Sequence, residues 1–151
     1  MAIDPAFWRS RKVFITGHTG FKGGWLCLWL QRLGADVAGF ALAPDTAPSL
    51  WREAKVESAV RSTLGDIRDP QALAAALRAH QPEIVFHLAA QSLVRRSYEQ
   101  PLETFSTNIM GTAHLLETAR QIKSIRSVVA VTSDKCYDDR GSPQAYREDD
   151  P

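Results

Sequence analysis

The first apolar run of the chain ends at three glycines, Gly17, Gly20 and Gly23, which have the spacing Gly-x-x-Gly-x-x-Gly. That run, 12–16, is rich in apolar and β-branched residues, and a segment rich in Leu and Trp follows the glycines as far as Gly34. This order predicts a strand, a tight turn and a helix. The first backbone N–H groups of a helix have no partner within it and lie at the positive end of its dipole, so a phosphate group can bind there.

Each glycine of this loop has a separate predicted use. Gly17 would permit a sharp turn, Gly20 would let a diphosphate approach the backbone, and Gly23 would let the helix lie close to its strand. The spacing is one residue wider than G-x-G-x-x-G, but the flanking strand and helix are the context that such a motif requires. An ordinary glycine turn is the alternative. With the intervening Thr19 and Phe21, these glycines form the predicted cofactor loop.

The elements that must position this loop alternate along the chain. Predicted strands are 12–16, 36–41, 62–64, 83–89 and 127–132, and predicted helices are 21–33, 71–79 and 101–121. Asp69 and Pro70 mark the start of the middle helix, as an N-cap and a first-turn proline. A short helix is predicted at 51–54, whereas 92–98 gives mixed signals.

Strands joined by helix-length crossovers predict an α/β fold, a Rossmann-like doubly wound parallel sheet with five strands and helices on both faces. Ligands bind outside the carboxyl ends of the strands in such sheets, which points to 17–22, 40–44, 66–67, 89–92 and 132–135. The large apolar residues of the first helix cover more than one of its faces, so that helix is predicted to be well buried.

Composition narrows the functional classes. A chain of 151 residues with 44% hydrophobic and 23% charged residues indicates one globular domain, and a net charge of +1 does not favour nucleic acid or a membrane surface as partner. No apolar run has the length of a signal peptide or a membrane span. Cys27 and Cys136 lack metal-ligand spacing, so we expect no metal and a reduced, cytoplasmic setting.

Several strings resemble the extended short-chain dehydrogenase/reductase proteins that act on nucleotide sugars. They are 16–23, 65–69, 88–91, Asn108 and 131–137, and they cover nearly the whole chain in order. Within that superfamily, Gly-His-Thr-Gly-Phe-Lys-Gly-Gly-Trp and Thr-Ser-Asp-Lys-Cys-Tyr-Asp most resemble the CDP-glucose 4,6-dehydratase family. The resemblance implies a lyase with tightly held NAD. The sugar C4 hydroxyl is oxidised, water is lost across C5 and C6, and the hydride returns to C6, which gives a 4-keto-6-deoxy sugar.

The resemblance also implies cofactor contacts beyond the glycine loop. Asp66 and Ile67 would flank the adenine, with Asp66 accepting a hydrogen bond from its amino group, and Asn108 would organise the active-site end of its helix. The other implied contacts are Leu88, Ala89, Ala90, Gln91 and Thr132. The alternatives are a plain turn at 66–67 and a satisfied polar residue at Asn108. His87, in a buried strand, is expected to be a core residue rather than a catalyst.

The catalytic residues implied by the resemblance are Ser133, Asp134 and Lys135. Ser133 would hydrogen-bond the C4 oxygen, Asp134 would act as general acid on the departing C6 hydroxyl, and Lys135 would stand where related enzymes place a glutamate base. A lysine must lose its charge before it can act as a base; alternatively it stays charged and stabilises an enolate, which the adjacent Asp134 favours. Taken alone, the three residues also fit a polar turn.

Two features depart from the usual pattern. An acidic residue at the end of the second strand often binds the cofactor ribose, but here it is missing, because Asp36 lies at the opposite end of that strand. The residues therefore do not decide between NAD and NADP as the cofactor. The expectation of NAD comes from the resemblance. Tyr-x-x-x-Lys is also absent: four residues beyond Tyr98, Tyr137 and Tyr146 stand Leu102, Gly141 and Asp150.

The missing Tyr-x-x-x-Lys leads to the expectation that 1–151 is a truncated dinucleotide-binding domain without its substrate domain, inactive by itself. An epimerase or ketoreductase of the same superfamily and a noncatalytic dinucleotide-binding module are the alternatives. The helix at 101–121 carries apolar residues on a wide arc, which predicts an exposed apolar surface, and the resemblance implies that the full-length protein forms a homodimer through it.

Overall fold

The computed structural model describes residues 4–133, 136–138, 141 and 145–151. At its centre is a sheet of β1 Lys12–Thr16, β2 Asp36–Ala41, β3 Arg61–Leu64, β4 Ile84–His87 and β5 Ser127–Ala130. All neighbouring strands are parallel, in the order β3-β2-β1-β4-β5. The predicted parallel sheet is confirmed, with β4 and β5 shorter than predicted. The strand order reverses between β1 and β4, and in open sheets of this kind ligands bind outside the carboxyl ends of the strands at such a point.

The helices mostly follow the predicted bounds. They are α1 Pro5–Trp8, α2 Phe21–Arg32, α3 Leu50–Glu53, α4 Pro70–His80, α5 Val94–Glu99, α6 Pro101–Phe105 and α7 Gly111–Ala119, with a 3-10 turn at Val56–Ser58. A π-helical turn, Ser106–Met110, joins α6 to α7, so the helix predicted at 101–121 is one helical run with a wider turn in its middle. The N-cap at Asp69 is confirmed, since its carboxylate accepts hydrogen bonds from the backbone N–H groups of Gln71 and Ala72 at 2.9 and 3.0 Å.

Each face of the sheet carries its own hydrophobic core, because successive strand side chains point to opposite faces. One core joins strand residues Phe14, Phe40 and Val85 to Leu73, Leu77 and Leu115 of α4 and α7. The other joins Val13, Ile15 and Val37 to Cys27, Leu30 and Trp51 of α2 and α3. Helices therefore cover both faces, as the alternation of elements predicted.

The prediction that α2 is well buried is wrong. Its buried residues are Gly23, Gly24, Cys27 and Leu30. Phe21, Trp25 and Trp29, each one turn apart, are 70%, 55% and 51% exposed. Among the described residues, the helix packs on β1, β2, α3 and the 3-10 turn, which together cover a single side of it. Within the described residues, no helix combines the length and the apolar character needed to cross a membrane.

Candidate cofactor site

The loop after β1 is a tight turn held by backbone hydrogen bonds. Gly17 has a φ of +76°, in the region that favours glycine, and its N–H donates to the carbonyl of Phe40 at 2.9 Å. A Cβ atom added at Gly17 would lie 2.8 Å from the backbone nitrogen of Ala89. The N–H of Gly20 donates to the carbonyl of Gly17 at 3.1 Å. The loop is therefore pressed between the end of β2 and the segment after β4.

Gly23 and Gly20 have different reasons to be glycine. A Cβ atom at Gly23 would lie 2.1 Å from the carbonyl oxygen of Gly17, so the packing of α2 on the loop excludes any side chain there. A Cβ atom at Gly20 would have 3.4 Å to its nearest neighbour, and Gly20 is exposed with an extended backbone that any residue can adopt. Packing does not require glycine at Gly20, which leaves the start of α2 bare.

The bare start of α2 fits the diphosphate of a dinucleotide. Gly20 is the N-cap and makes no side-chain cap, so the first N–H groups of a twelve-residue helix remain available at its positive end. Two small residues, Ala89 and Ala90, follow β4 beside the loop. The hydroxyl of Thr19 donates to the carbonyl of Leu42 at 2.8 Å, so its hydrogen is used to hold the end of β2. The side chain of Phe21 is exposed.

A buried polar chain begins at the carboxyl end of β1. Thr16, which is fully buried, places its Oγ1 2.7 Å from Nδ1 of His87 at the end of β4. His87 is 4% exposed, and its Nε2 lies 2.8 Å from the hydroxyl of Thr112 on α7. That hydroxyl donates to the carbonyl of Asn108 at 2.6 Å. Burial lowers the pKa of His87, which agrees with its interpretation as a core residue.

Two predicted cofactor residues, Asn108 and Gln91, are bonded directly to each other. The Asn108 amide accepts from the Gln91 backbone N–H at 2.8 Å and donates to the Gln91 carbonyl at 2.9 Å. The Gln91 side chain donates to Thr104 at 3.0 Å and accepts from the backbone N–H of Leu93 at 2.7 Å. Asn108 lies within the π-helical turn, a feature often found at functional sites.

Asp66 and Ile67 stand beyond β3 at the same edge. Arg68 donates to the Asp66 carboxylate through its guanidinium at 2.5 Å and its backbone N–H at 2.9 Å, and this side-chain hydrogen bond lowers the pKa of Asp66. The Ile67 side chain is 5% exposed and packs in the core. A Cβ atom at Gly111 would lie 2.7 Å from it. Ile67 is therefore a core residue, and its carbonyl oxygen lies 3.4 Å from Nδ1 of His114.

His18 lies in the loop sequence but packs behind it. Its Nε2 is 2.7 Å from the hydroxyl of Ser62, and its ring meets the ring of Trp51 edge-on at 4.9 Å. Gly39 makes room for it, because a Cβ atom there would lie 2.3 Å from the imidazole. Burial lowers the pKa of His18 to about 4. A neutral histidine thus fastens the loop to β2 and β3.

The ends of β2 and β5 complete the edge. Asp36 stands at the amino end of β2, as expected from the sequence, and pairs with Arg61 rather than lying near the loop. Thr132 and Ser133 are exposed just beyond β5, whose pairing with β4 continues through a 3.0 Å hydrogen bond from Val131 to His87. Asp134 and Lys135 lie outside the described residues.

The structure thus brings most of the predicted residues to one edge. Residues that the sequence interpretation missed are Thr16, Thr112 and Arg68. Two signals were available for them: Thr16 is a polar residue that ends an apolar strand, and Thr112 stands one helical turn after Asn108.

Known proteins resemble this chain over most of its length. Residues 14–151 match the family described as GDP-mannose 4,6 dehydratase. The chain is 55% identical to the CDP-glucose 4,6-dehydratase of Salmonella typhimurium over 99% of its own length and 42% of that protein. It is 35% identical to a UDP-glucose 4-epimerase of Mycolicibacterium smegmatis, over 89% of this chain and 42% of the epimerase.

A solved structure gives the same picture of the fold. The UDP-glucose-4-epimerase of Stenotrophomonas maltophila, with bound NAD and formylated UDP-arabinopyranose, superposes with a TM-score of 0.71 at 28% identity, over 82% of this chain and 37% of that one. The chain therefore spans about two fifths of the length of the relatives that it matches.

Proposed function

Because the chain belongs to the family described as GDP-mannose 4,6 dehydratase, we propose that it is the NAD-binding part of a nucleotide-sugar 4,6-dehydratase that acts on CDP-glucose. The observation that carries this proposal is the bare N-terminus of α2, which lies beside the point where the strand order reverses. The choice of CDP-glucose is supported by the 55% identity to a protein of that activity.

The first proposed role of the chain is to bind the cofactor. The backbone at Gly17, Gly20 and Gly23 and the start of α2 hold the cofactor diphosphate, and the small residues Ala89 and Ala90 let the cofactor pass close to the sheet edge. Bound NAD supplies reversible hydride transfer.

The remaining proposed contacts lie around this diphosphate site. They are Thr19, Phe21, Asp66, Ile67, Leu88, Gln91, Asn108 and Thr132. Most of these residues lie in or next to a segment that follows the carboxyl end of a strand, which is where ligands bind in sheets of this kind.

Three residues beyond β5 are proposed to act on the sugar. The hydroxyl of Ser133 hydrogen-bonds the C4 oxygen, and the carboxylic acid of Asp134 gives a proton to the departing C6 hydroxyl. Lys135 stays charged next to Asp134 and stabilises the negative charge that develops when the C5 proton is removed. The position of Ser133 just beyond the strand that pairs with β4 supports its part of this assignment.

Calorimetry with NAD tests the binding half of the proposal. Gly20→Ala is the informative variant, because its Cβ atom has room in the protein but occupies the space left for the diphosphate. We expect NAD binding to weaken at least about tenfold, while the free energy of unfolding changes by less than about 1 kcal/mol. Equal NAD affinity in Gly20→Ala and wild type would contradict the proposed site.

Product analysis tests the chemical half. The full-length gene product, given CDP-glucose and NAD, should form a 4-keto-6-deoxy sugar, which NMR identifies. Inversion at C4 would instead indicate an epimerase, the activity of a relative 35% identical to this chain. Binding of NAD without any reaction would indicate a dinucleotide-binding module.

We also propose that the full-length protein forms a homodimer through the helical run 101–119. Its exposed apolar residues Leu102, Phe105, Ile109 and Leu116 follow the three- and four-residue spacing of one helix face, and Leu102 is 84% exposed. Sedimentation velocity should show a dimer that Phe105→Glu converts to a monomer. A monomeric full-length wild-type protein at micromolar concentration would overturn this.

A further inference from the structure

A single arrangement of protons satisfies the buried hydrogen bonds around His87. The hydroxyl oxygen of Thr112 lies 2.6 Å from the carbonyl oxygen of Asn108. A carbonyl carries no proton, so the hydroxyl hydrogen of Thr112 lies between these two oxygens. Thr112 can then only accept from Nε2 of His87, which is 2.8 Å away. His87 therefore carries a proton on Nε2.

The other ring nitrogen is constrained in the same way. Oγ1 of Thr16 lies 3.2 Å from the backbone nitrogens of both Leu88 and Ala89 and accepts from both. Its own hydrogen then points to Nδ1 of His87, 2.7 Å away. Nδ1 is an acceptor in this arrangement, so the imidazole is neutral. Burial of His87, which lowers its pKa, favours the same form.

The two ends of this hydrogen-bonded chain hold two different parts of the candidate cofactor site. Thr16 immediately precedes Gly17, and it holds the backbone of Leu88 and Ala89 against the glycine loop. At the other end, Thr112 holds the carbonyl of Asn108, whose side chain bonds twice to the backbone of Gln91. His87 is the bridge between them.

We propose that His87 is a positioning residue, a neutral imidazole protonated at Nε2 that sets the separation between the glycine loop and the Asn108–Gln91 pair. It acts through the two threonines on either side of its ring. This inference rests on the proposed function in one respect: the site that His87 shapes is the site proposed for NAD.

The first test is the tautomer itself. NMR of the chain labelled with ¹⁵N-histidine, at neutral pH and without cofactor, should show His87 as a neutral ring with its proton on Nε2 in slow exchange with water. The His87 signals are assigned by their loss in His87→Gln. A proton on Nδ1, or a charged imidazolium, would overturn the proposal.

The second test separates positioning from general stability. Thr112→Val keeps the shape of the side chain but removes the hydroxyl oxygen that accepts the hydrogen bond from Nε2 of His87. Both neutral tautomers of His87 should then be populated. Hydrogen exchange of the Gln91 amide should become about fivefold to tenfold faster, because its partner Asn108 loses its anchor. Thr112→Ser should restore both signals.

Thr118→Val is the matched control, a buried threonine on α7 outside the hydrogen-bonded chain. It should change neither the His87 tautomer nor Gln91 exchange, even where it lowers the melting temperature. If Thr112→Val leaves both readouts at the wild-type values, or Thr118→Val moves them equally, His87 has no positioning role.

A third measurement links the inference to binding and keeps the two proposals distinguishable. Thr112→Val should weaken NAD binding about fivefold in calorimetry, and Thr112→Ser should recover it. Failure of wild type to bind NAD would contradict the proposed function while leaving the tautomer result standing. Normal NAD binding by Thr112→Val, with the Gln91 amide already destabilised, would contradict the positioning role alone.

Discussion

Strands β1 and β4 are tied to each other by a side-chain pair at each end, and the two pairs are of opposite kinds. At the amino ends, Arg11 and Glu83 form an ion pair of 2.6 Å, and each side chain is about one third exposed. At the carboxyl ends, Thr16 and His87 form a neutral hydrogen bond of 2.7 Å, and both are buried. The same two strands thus meet solvent at one end and exclude it at the other.

This difference indicates which end of the two strands is more sensitive to substitution. An exposed ion pair contributes little, since water and salt screen its charges. A buried neutral hydrogen bond also contributes little net stability. Its removal, however, leaves buried polar groups without partners, which lowers the free energy of unfolding more strongly. The carboxyl end is also where the glycine loop leaves backbone N–H groups bare, so precise geometry there would serve the binding proposed for this site.

The largest expected effect is acid destabilisation at the carboxyl end. His18 has a pKa of about 4 in the folded chain against an ordinary value of 6.5, so the unfolded chain binds more protons between these values. Its contribution to stability is complete above the ordinary pKa and is lost as pH falls toward 4. We expect a loss of about 2 kcal/mol between about pH 7 and about pH 5 from this residue.

Urea unfolding at the two pH values, on wild type and His18→Gln, checks this effect. His80 and His87, whose pKa values burial also lowers, act in the same direction in both proteins, so the difference in pH dependence isolates His18. An unchanged pH dependence in His18→Gln would contradict the assignment of this acid sensitivity to His18.

The smaller effects come from a matched pair of isosteric changes at the two ends. Thr16→Val leaves Nδ1 of His87 and the N–H of Ala89 without their partner, and we expect it to lower the free energy of unfolding by about 1–2 kcal/mol. Glu83→Gln removes a charge but keeps an acceptor for Arg11, and we expect a loss below about 1 kcal/mol.

Urea titrations of these two variants, at low and at moderate salt, decide the comparison. The difference in unfolding free energy between Glu83→Gln and wild type should become smaller at moderate salt, whereas the difference for Thr16→Val should stay the same. Salt screens exposed charges but does not affect buried neutral groups. A larger loss for Glu83→Gln than for Thr16→Val would reverse the conclusion drawn from the two ends.

Short-range signals in the sequence predicted the elements that depend on neighbours along the chain. The Asp69 and Pro70 helix start, the strand at 36–41 and the turn at Gly17 each follow from a few adjacent residues, and the structure confirms them. The π-helical turn was not predicted, and its residue Asn108 bonds to the backbone of Gln91, 17 residues away, a contact that local patterns do not show.

By itself, the sequence determined the alternation of strands and helices, the glycine loop and the family strings, since periodicity and turn chemistry are local properties. Only the tertiary structure decided which side of α2 is covered, that His18 packs behind its loop, and that Thr16, His87 and Thr112 share one chain of hydrogen bonds. Burial and hydrogen-bond partners are set by which strands become neighbours, and the order β3-β2-β1-β4-β5 brings residues 71 positions apart into contact.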